Sequence, residues 1–384
     1  LLDRPVDQLP VVSDYRWNDI ANGSSLLATL IWWLVMMGVG LLFLPLNFLI
    51  FSKLPDRGYP LSKSLGLLLL SYWVWLSSSL IGWGWLGNTA QTALVILLLG
   101  AAISLALAVI YRRPLWLFVR RQVWLILSVE ALFSLVYLLF VYLRLLNPDL
   151  WHPWLGGEKM LEIGFLNAIV KSVQMPPYDP FFAGGIINYY YYGLFLVGVL
   201  IKLTGIQPSV AFNLAVPTLA ALTAINAFSL AGNLAVHSTL APRVGIASAR
   251  GKMVVSGLLA ALFIVFLGNL EGAAQFMRNL ADLSLARFDS AIPGLATLVP
   301  AIDGFVRAFA GAPLVTYNYW DPTRVIPETI NEFPYFSFLF ADLHPHMIGI
   351  PFTLLFLSLA FSWLLDGRRT EDDRRWTNRP NDAA

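Results

Sequence analysis

The chain has no cysteine, which excludes disulfides, thiolate metal sites and cysteine nucleophiles. Charge is scarce as well: Asp, Glu, Lys and Arg make up 12% of the 384 residues, against about 25% in an ordinary soluble domain. The charge present nearly cancels, to a formal net +2, so there is no basic footprint for nucleic acid. Histidine occurs only four times. There is no Gly-rich phosphate loop, nucleophile elbow or dinucleotide fingerprint, and no repeat at a fixed period. What abounds is apolar surface: 58% of the residues are hydrophobic and the mean hydropathy is +0.68.

That surplus is arranged in runs near the ~20 residues that cross a bilayer as a helix. They fall at 25–51, 64–83, 90–111, 123–146, 186–203, 210–236, 253–270 and 348–365. The pattern predicts an all-α, polytopic transmembrane bundle. The first run is too long and too late for a secretory signal peptide.

Lys and Arg in short loops set the orientation. Lys53, Arg57 and Lys63 follow the first run, and Arg112, Arg113, Arg120 and Arg121 follow the third. Arg243, Arg250 and Lys252 follow the sixth, and five Arg follow the last. All four groups are expected in the cytoplasm. Segment 147–185 must then lie outside and loop 237–252 inside, which demands an odd number of crossings where two apolar runs stand. The weaker run is 186–203, opened by Asn188 and Tyr189–Tyr192. Tyrosine favours the membrane–water interface, so this helix is expected to be juxtamembrane. About seven spans result, in the plasma membrane, with the N-terminus outside and the C-terminus in the cytoplasm. The expected organisation is three spans over 1–121, a membrane module over 122–366 with outer loops 147–209 and 271–347, and a polar tail over 367–384.

The outer loops hold most of the unusual chemistry. In the first, Gly156-Gly157 permits a tight turn, and Glu158 and Glu162 stand i, i+4 on one helical face. They are candidate catalytic acids, although carboxylates in a first helical turn also simply favour the dipole. Asp149 and His152 precede that turn around Trp151, Pro153 and Trp154, and Tyr178-Asp179-Pro180 makes another turn. In the second, Asp342-Leu343-His344-Pro345-His346 can present carboxylate and imidazoles on one side of an extended strand, where they can share a divalent cation or a phosphate-bearing substrate. An interfacial cap on the last span is the alternative. Arg324 is placed either to hold a phosphate bidentately or to pair with Glu328. Tyr189 and Tyr190 fit an aromatic belt or a substrate platform. Glu130 sits inside the fourth run, where a structural hydrogen bond is expected, and Asn213, Asn226 and Asn233 can join helices. Intramembrane charge, limited to Glu130 and Lys202, is too sparse for an ion path.

The stretches DRGYPLSKSLGLLL (56–69), INYYYYG (187–193) and INEFPYFSFLFADLHPHMIGIP (330–351) resemble the YYY family of hydrophobic membrane proteins, DUF2298, over about 50–365. Members of that family are usually much longer, so the chain is expected to be a short or truncated member. In layout the family is distantly similar to GT-C glycosyltransferases, which use lipid-linked sugar donors. The resemblance implies a GT-C-like fold and a polyprenyl-phosphate sugar as donor at the outer face. By position it makes Glu158 or Glu162 the base and has Asp342 help bind Mg or Mn. Arg324, Tyr189, Tyr190 and Asp179 would bind substrate, and Asp342, His344 and His346 would hold the metal. One departure stands out: the adjacent acidic pair of the first GT-C loop is replaced here by Gly-Gly-Glu-Lys. The rival expectation is a non-catalytic subunit of a larger membrane complex, its aromatic loops forming a protein–protein surface. Membrane lipid is a partner under either expectation.

Overall fold

The computed structural model describes residues 1–3, 5–80, 86–152, 157–238, 246–315, 317–318 and 320–377. Pro153, Trp154, Gly156, Arg243 and the end of the 64–83 run lie outside the described residues, as do the tail side chains beyond Asp366. The described part is helical, with two isolated β-bridges, Val11 to Ser172 and Tyr178 to Ile186.

The helices are α1 (Asp19–Asn22), α2 (Ser25–Ile50), α3 (Ser62–Ser79), α4 (Ala90–Ile110), α5 (Arg112–Arg121), α6 (Val123–Leu146) and α7 (Lys159–Lys171). They continue with α8 (Tyr192–Thr204), α9 (Pro208–His237), α10 (Ile246–Leu262), α11 (Glu271–Leu283), α12 (Leu295–Phe309), α13 (Pro334–Phe340) and α14 (Pro345–Thr377). They form two compact units, residues 1–262 with 341–384, and residues 263–340.

Among the described residues six helices are long and apolar enough to cross a membrane: Ser25–Ile50, Ala90–Ile110, Val123–Leu146, Pro208–His237, Ala249–Leu267 and Pro345–Asp366. The polytopic bundle expected from the runs is therefore present. The difference from seven is α3, which has 18 residues but carries Lys63 and six serines. The tyrosine-led run becomes α8, whose 13 residues rise about 20 Å, short of the ~30 Å hydrocarbon core. It is enclosed by the protein from Leu194 to Lys202.

In the first unit α9 is the axis, buried along most of its length and packed against α6, α10 and α14. Alanine at 211, 215, 220, 221, 224 and 227 lets neighbouring backbones approach. Asn226 Nδ2 donates to Ser64 Oγ and to the Pro351 carbonyl, both at 2.8 Å, joining α9 to α3 and α14. Asn213 accepts from Arg144 Nε at 2.8 Å, joining α9 to α6.

The 52–61 connection is not a solvated basic loop. Asp56 is fully buried, accepting from Gly58 N at 2.9 Å and Ser229 Oγ at 2.5 Å. Gly58 has φ +65°, and a Cβ there would meet the Phe51 ring at 2.3 Å, so glycine is required. Lys63 is buried and bonds Glu130 Oε1 at 2.6 Å, while Tyr59 OH donates to the same oxygen at 2.7 Å. The cation expected in a cytoplasmic loop is thus an internal partner, because a buried charge needs an opposite one. At the other end Lys202 pairs with Asp14, and Asn18 and Asn22 donate to the carbonyls of Thr204 and Gly205 at 3.0 and 2.9 Å. The N-terminal arm is thereby tied to the end of α8.

The second unit, expected as a long outer loop, folds on its own small core. α11 packs on α12 so closely that a Cβ on Gly304 would lie 1.7 Å from the Leu280 carbonyl oxygen. Gln275 accepts from Asn318 N at 2.7 Å, and Trp320 lies against Phe336 and Phe340. On α12, Leu298, Ile302, Phe305, Val306 and Phe309 form an exposed apolar stripe.

Candidate functional site

The site begins at two helix starts in the first unit. Gly157, with φ +59°, turns the chain into α7, and Glu158 is the residue before its first turn. One turn brings Glu158, Lys159 and Glu162 together, since residues three and four apart are neighbours. The second start is Pro345, which opens α14. Proline suits the first helical position and keeps the residue before it extended. Ahead of it, Ala341 takes φ +65°, a left-handed turn costly for a residue with a Cβ and common at functional sites.

The two starts interlock. Glu158 N donates to Asp342 Oδ2 at 3.0 Å, and Leu343 N donates to Glu162 Oε2 at 2.6 Å. Lys159 Nζ lies 2.8 Å from Asp342 Oδ1, and both side chains are almost fully buried. Tyr190 completes the cluster. Its φ of +75° separates it from the other tyrosines of its run, and its hydroxyl lies 3.1 Å from Glu158 Oε2 and 2.7 Å from His344 Nδ1.

The Tyr190 hydroxyl has one hydrogen, and Glu158 only accepts when ionised. If Tyr190 donates to Glu158, then His344 Nδ1–H must donate to Tyr190. The remaining nitrogen, His344 Nε2, is 3.8 Å from Glu158 Oε2 and 3.7 Å from Asp342 Oδ2. In the neutral imidazole that nitrogen is a lone pair, facing two carboxylates. Glu162 adds a fourth acceptor, being fully buried with Oε1 lacking a hydrogen-bond partner among the described residues. Burial, and next the Asp342 charge, push its carboxyl up to about 8. Ligand atoms of Glu158, Glu162 and His344 all lie within 4.8 Å of one another. Three acceptors converging with one orphan oxygen need a proton or a cation between them, so the donor set suits a divalent ion.

The acids Glu158 and Glu162 and the pair Asp342 and His344, about 180 residues apart in the chain, thus share one site. The metal set reads differently from the extended Asp-x-His-x-His register. Because the helix starts at Pro345, His346 enters its first turn and is exposed, its ring centroid 5.2 Å from that of His344. Asp342 is occupied by Lys159 and the Glu158 amide. Glu158 and Glu162 take the places next to His344. Asp179 caps a turn, accepting from Phe181 N at 2.8 Å and Phe182 N at 3.1 Å. Tyr189 is 78% exposed and leans on Tyr190. Tyr191 accepts from Trp75 Nε1 at 2.7 Å, and Tyr192 packs edge-on against the same Trp75 ring. Arg324 belongs to the second unit, where its guanidinium bonds Thr323 Oγ1 at 2.7 Å and stands over Trp320. Sequence reasoning missed Lys159 as a site residue. Its signal was available, since a lysine beside two acids at a helix start is a natural buried counter-charge.

Among protein-family models, the chain matches the one described as an uncharacterized membrane protein, DUF2298, over residues 69–379. No curated protein and no solved structure matches it.

Proposed function

The chain belongs to the DUF2298 family of membrane proteins, and on that footing we propose that it is a multi-pass membrane glycosyltransferase that takes its sugar from a polyprenyl-phosphate donor at the outer face. The observation that carries the reading is the single cluster of Glu158, Glu162, Asp342, His344 and Tyr190. Transfer to a hydroxyl needs a base for the acceptor proton and positive charge for the departing phosphate. Glu158 is the base: its side chain is half exposed, and Tyr190 and the Asp342-bound amide fix its position. Asp342 and Lys159 are positioning residues, since they act through Glu158 and Glu162. A divalent ion, Mg or Mn, fits Glu158, Glu162 and His344, and it would supply the positive charge that draws and neutralises the phosphate. One Glu158 oxygen can serve the ion while the other receives the proton.

The test is sugar transfer from a synthetic polyprenyl-phosphate donor by protein reconstituted in liposomes. Glu158→Gln and His344→Ala should each lose transfer while remaining folded and membrane-inserted. Full activity in both would sink the assignment. A second reading, an assembly subunit, draws on the α12 stripe of Leu298, Ile302, Phe305, Val306 and Phe309. Stoichiometric partners on mild-detergent purification, lost on Phe305→Asp, would favour it.

A further inference from the structure

Two neighbouring cavities of the first unit lie apart from the reaction centre. One, of about 460 Å³, runs between α4 and the pair α2 and α3, with Phe43, Leu69, Trp73, Ile96, Ile103 and Leu107 in its wall. Its wall is apolar apart from Ser77 and Ser104. Within the slot Ser104 Oγ bonds the Leu42 carbonyl, while most of α4 is exposed. Gly100 and Ser104, being small, leave the space open. The second cavity, of about 480 Å³, is half polar and is lined by Ser78, Ser79, Ser172, Gln174 and Tyr178. Leu80 lines both cavities.

We infer that the pair of cavities is a binding site for one glycerolipid, with an acyl chain in the slot and an uncharged, hydroxyl-bearing head in the polar cavity. Shape argues against a partner helix. From Ile96 to Leu107 α4 rises about 16 Å, so 460 Å³ leaves a cross-section of about 30 Å². A helix about 10 Å across needs more than twice that, whereas a single hydrocarbon chain fits. Solvation argues for lipid too. α2 and α4 are both candidate spans, and water in an apolar slot has no partners. The head is read from the donors and acceptors around it. The described lining residues of the polar cavity offer the hydroxyls of Ser78, Ser79, Ser172 and Tyr178, the Gln174 amide and the Asp3 carboxylate, which bond hydroxyls and, at Asp3, repel a phosphate. The occupant is not the sugar donor. That phosphate belongs at Glu158 and His344, before α7, whereas the polar cavity meets Ser172, past its far end. The 13 residues between span about 20 Å. The inference therefore stands or falls separately from the transferase reading.

The experiment is lipid extraction and native mass spectrometry of the full chain purified in mild detergent. A glycerolipid should be retained at about one per chain. Ile103→Trp and Leu99→Trp, which fill the slot from exposed positions on α4, should cut retention at least tenfold, while Leu138→Trp on the exposed face of α6 should leave it unchanged. Retention unaltered in the filled variants overturns the inference, as does the wild type carrying only a polyprenyl lipid or none. Should both filled variants misfold, a photoactivatable acyl lipid on the wild-type chain decides. Labelling concentrated in 69–80 and 96–107 supports the site, and labelling spread over all spans overturns it.

Discussion

Two places in the first unit start from the same parts and end differently. At the base of α3, one lysine, one glutamate and one tyrosine meet: Lys63 and Tyr59 both bond Glu130 Oε1. At the start of α7, one lysine, one tyrosine and one histidine meet three carboxylates, on Glu158, Glu162 and Asp342. Lysine and acid balance in the first. Acid exceeds lysine in the second, and the excess sits on a half-exposed Glu158 and a buried Glu162. Balanced charge in a closed place holds helices together. Unbalanced charge that solvent can reach costs folding energy, and it persists where a ligand or a reaction makes use of it.

The largest effect expected separates the two places by activity. Glu158→Gln should lower transfer by about 10²–10⁴-fold, the usual worth of a positioned base, whereas Glu130→Gln should leave turnover per folded molecule unchanged. A collapse of turnover in the Glu130 variant, measured on protein of equal monodispersity, would erase the distinction.

Next comes stability. Removing one partner of a buried ion pair costs about 3–5 kcal/mol, so Lys63→Met and Lys159→Met should both lower thermal stability in detergent. The double variants sharpen the contrast. Lys63→Met with Glu130→Gln should recover most of the loss. Lys159→Met with Asp342→Asn should recover less, because the Asp342 carboxylate also accepts from the Glu158 amide. Equal recovery at both places would mean that Asp342 serves Lys159 alone.

The third effect is a pH dependence. Metal-free Glu162 holds its proton to about pH 8, while the unfolded chain releases it near 4.5. Between those values the folded state binds more protons, so stability falls as pH rises. Thermal scans in chelator should show that loss between about pH 5 and 8, and Glu162→Gln should flatten it. Manganese at a hundredfold excess over its dissociation constant should return about 2.7 kcal/mol by mass action at pH 8, and should do nothing for the Gln variant. A wild-type curve that rises through this window would refute the protonated Glu162.

Most spans were legible in the chain, because hydropathy over 20 residues averages out local detail. α3 was harder, its Ser64 and Lys63 meeting Asn226 and Glu130, partners that only the fold supplies. The segment 52–63 read as a solvated basic loop because sequence counts cations without showing that Lys63 meets Glu130, 67 residues away. In the site, Glu158 and Glu162 were legible from i, i+4 spacing, and Asp342 and His344 from their adjacency. Their union was not, because it rests on contacts across about 180 residues. Nor was the replacement of Asp342 and His346 by Glu158 and Glu162 beside His344, which turns on where α14 begins and on the pairing of Asp342 with Lys159.

The smallest effect lies within the tyrosine run, where composition cannot rank four identical residues. Backbone conformation can: only Tyr190 is in the left-handed region, and only its hydroxyl bridges Glu158 and His344. A hydrogen bond to a charged group is worth about 1.5–3 kcal/mol, so Tyr190→Phe should slow transfer roughly ten- to a hundredfold with little change in stability. Tyr189→Phe, on an exposed ring, should change neither. Tyr191→Phe should act on stability instead, since its hydroxyl accepts from Trp75 and so joins α3 to the start of α8. If the slowing appeared at Tyr189 rather than Tyr190, the bridge would not be the operative contact, and the run would be a sugar-stacking platform whose faces, not hydroxyls, meet the substrate.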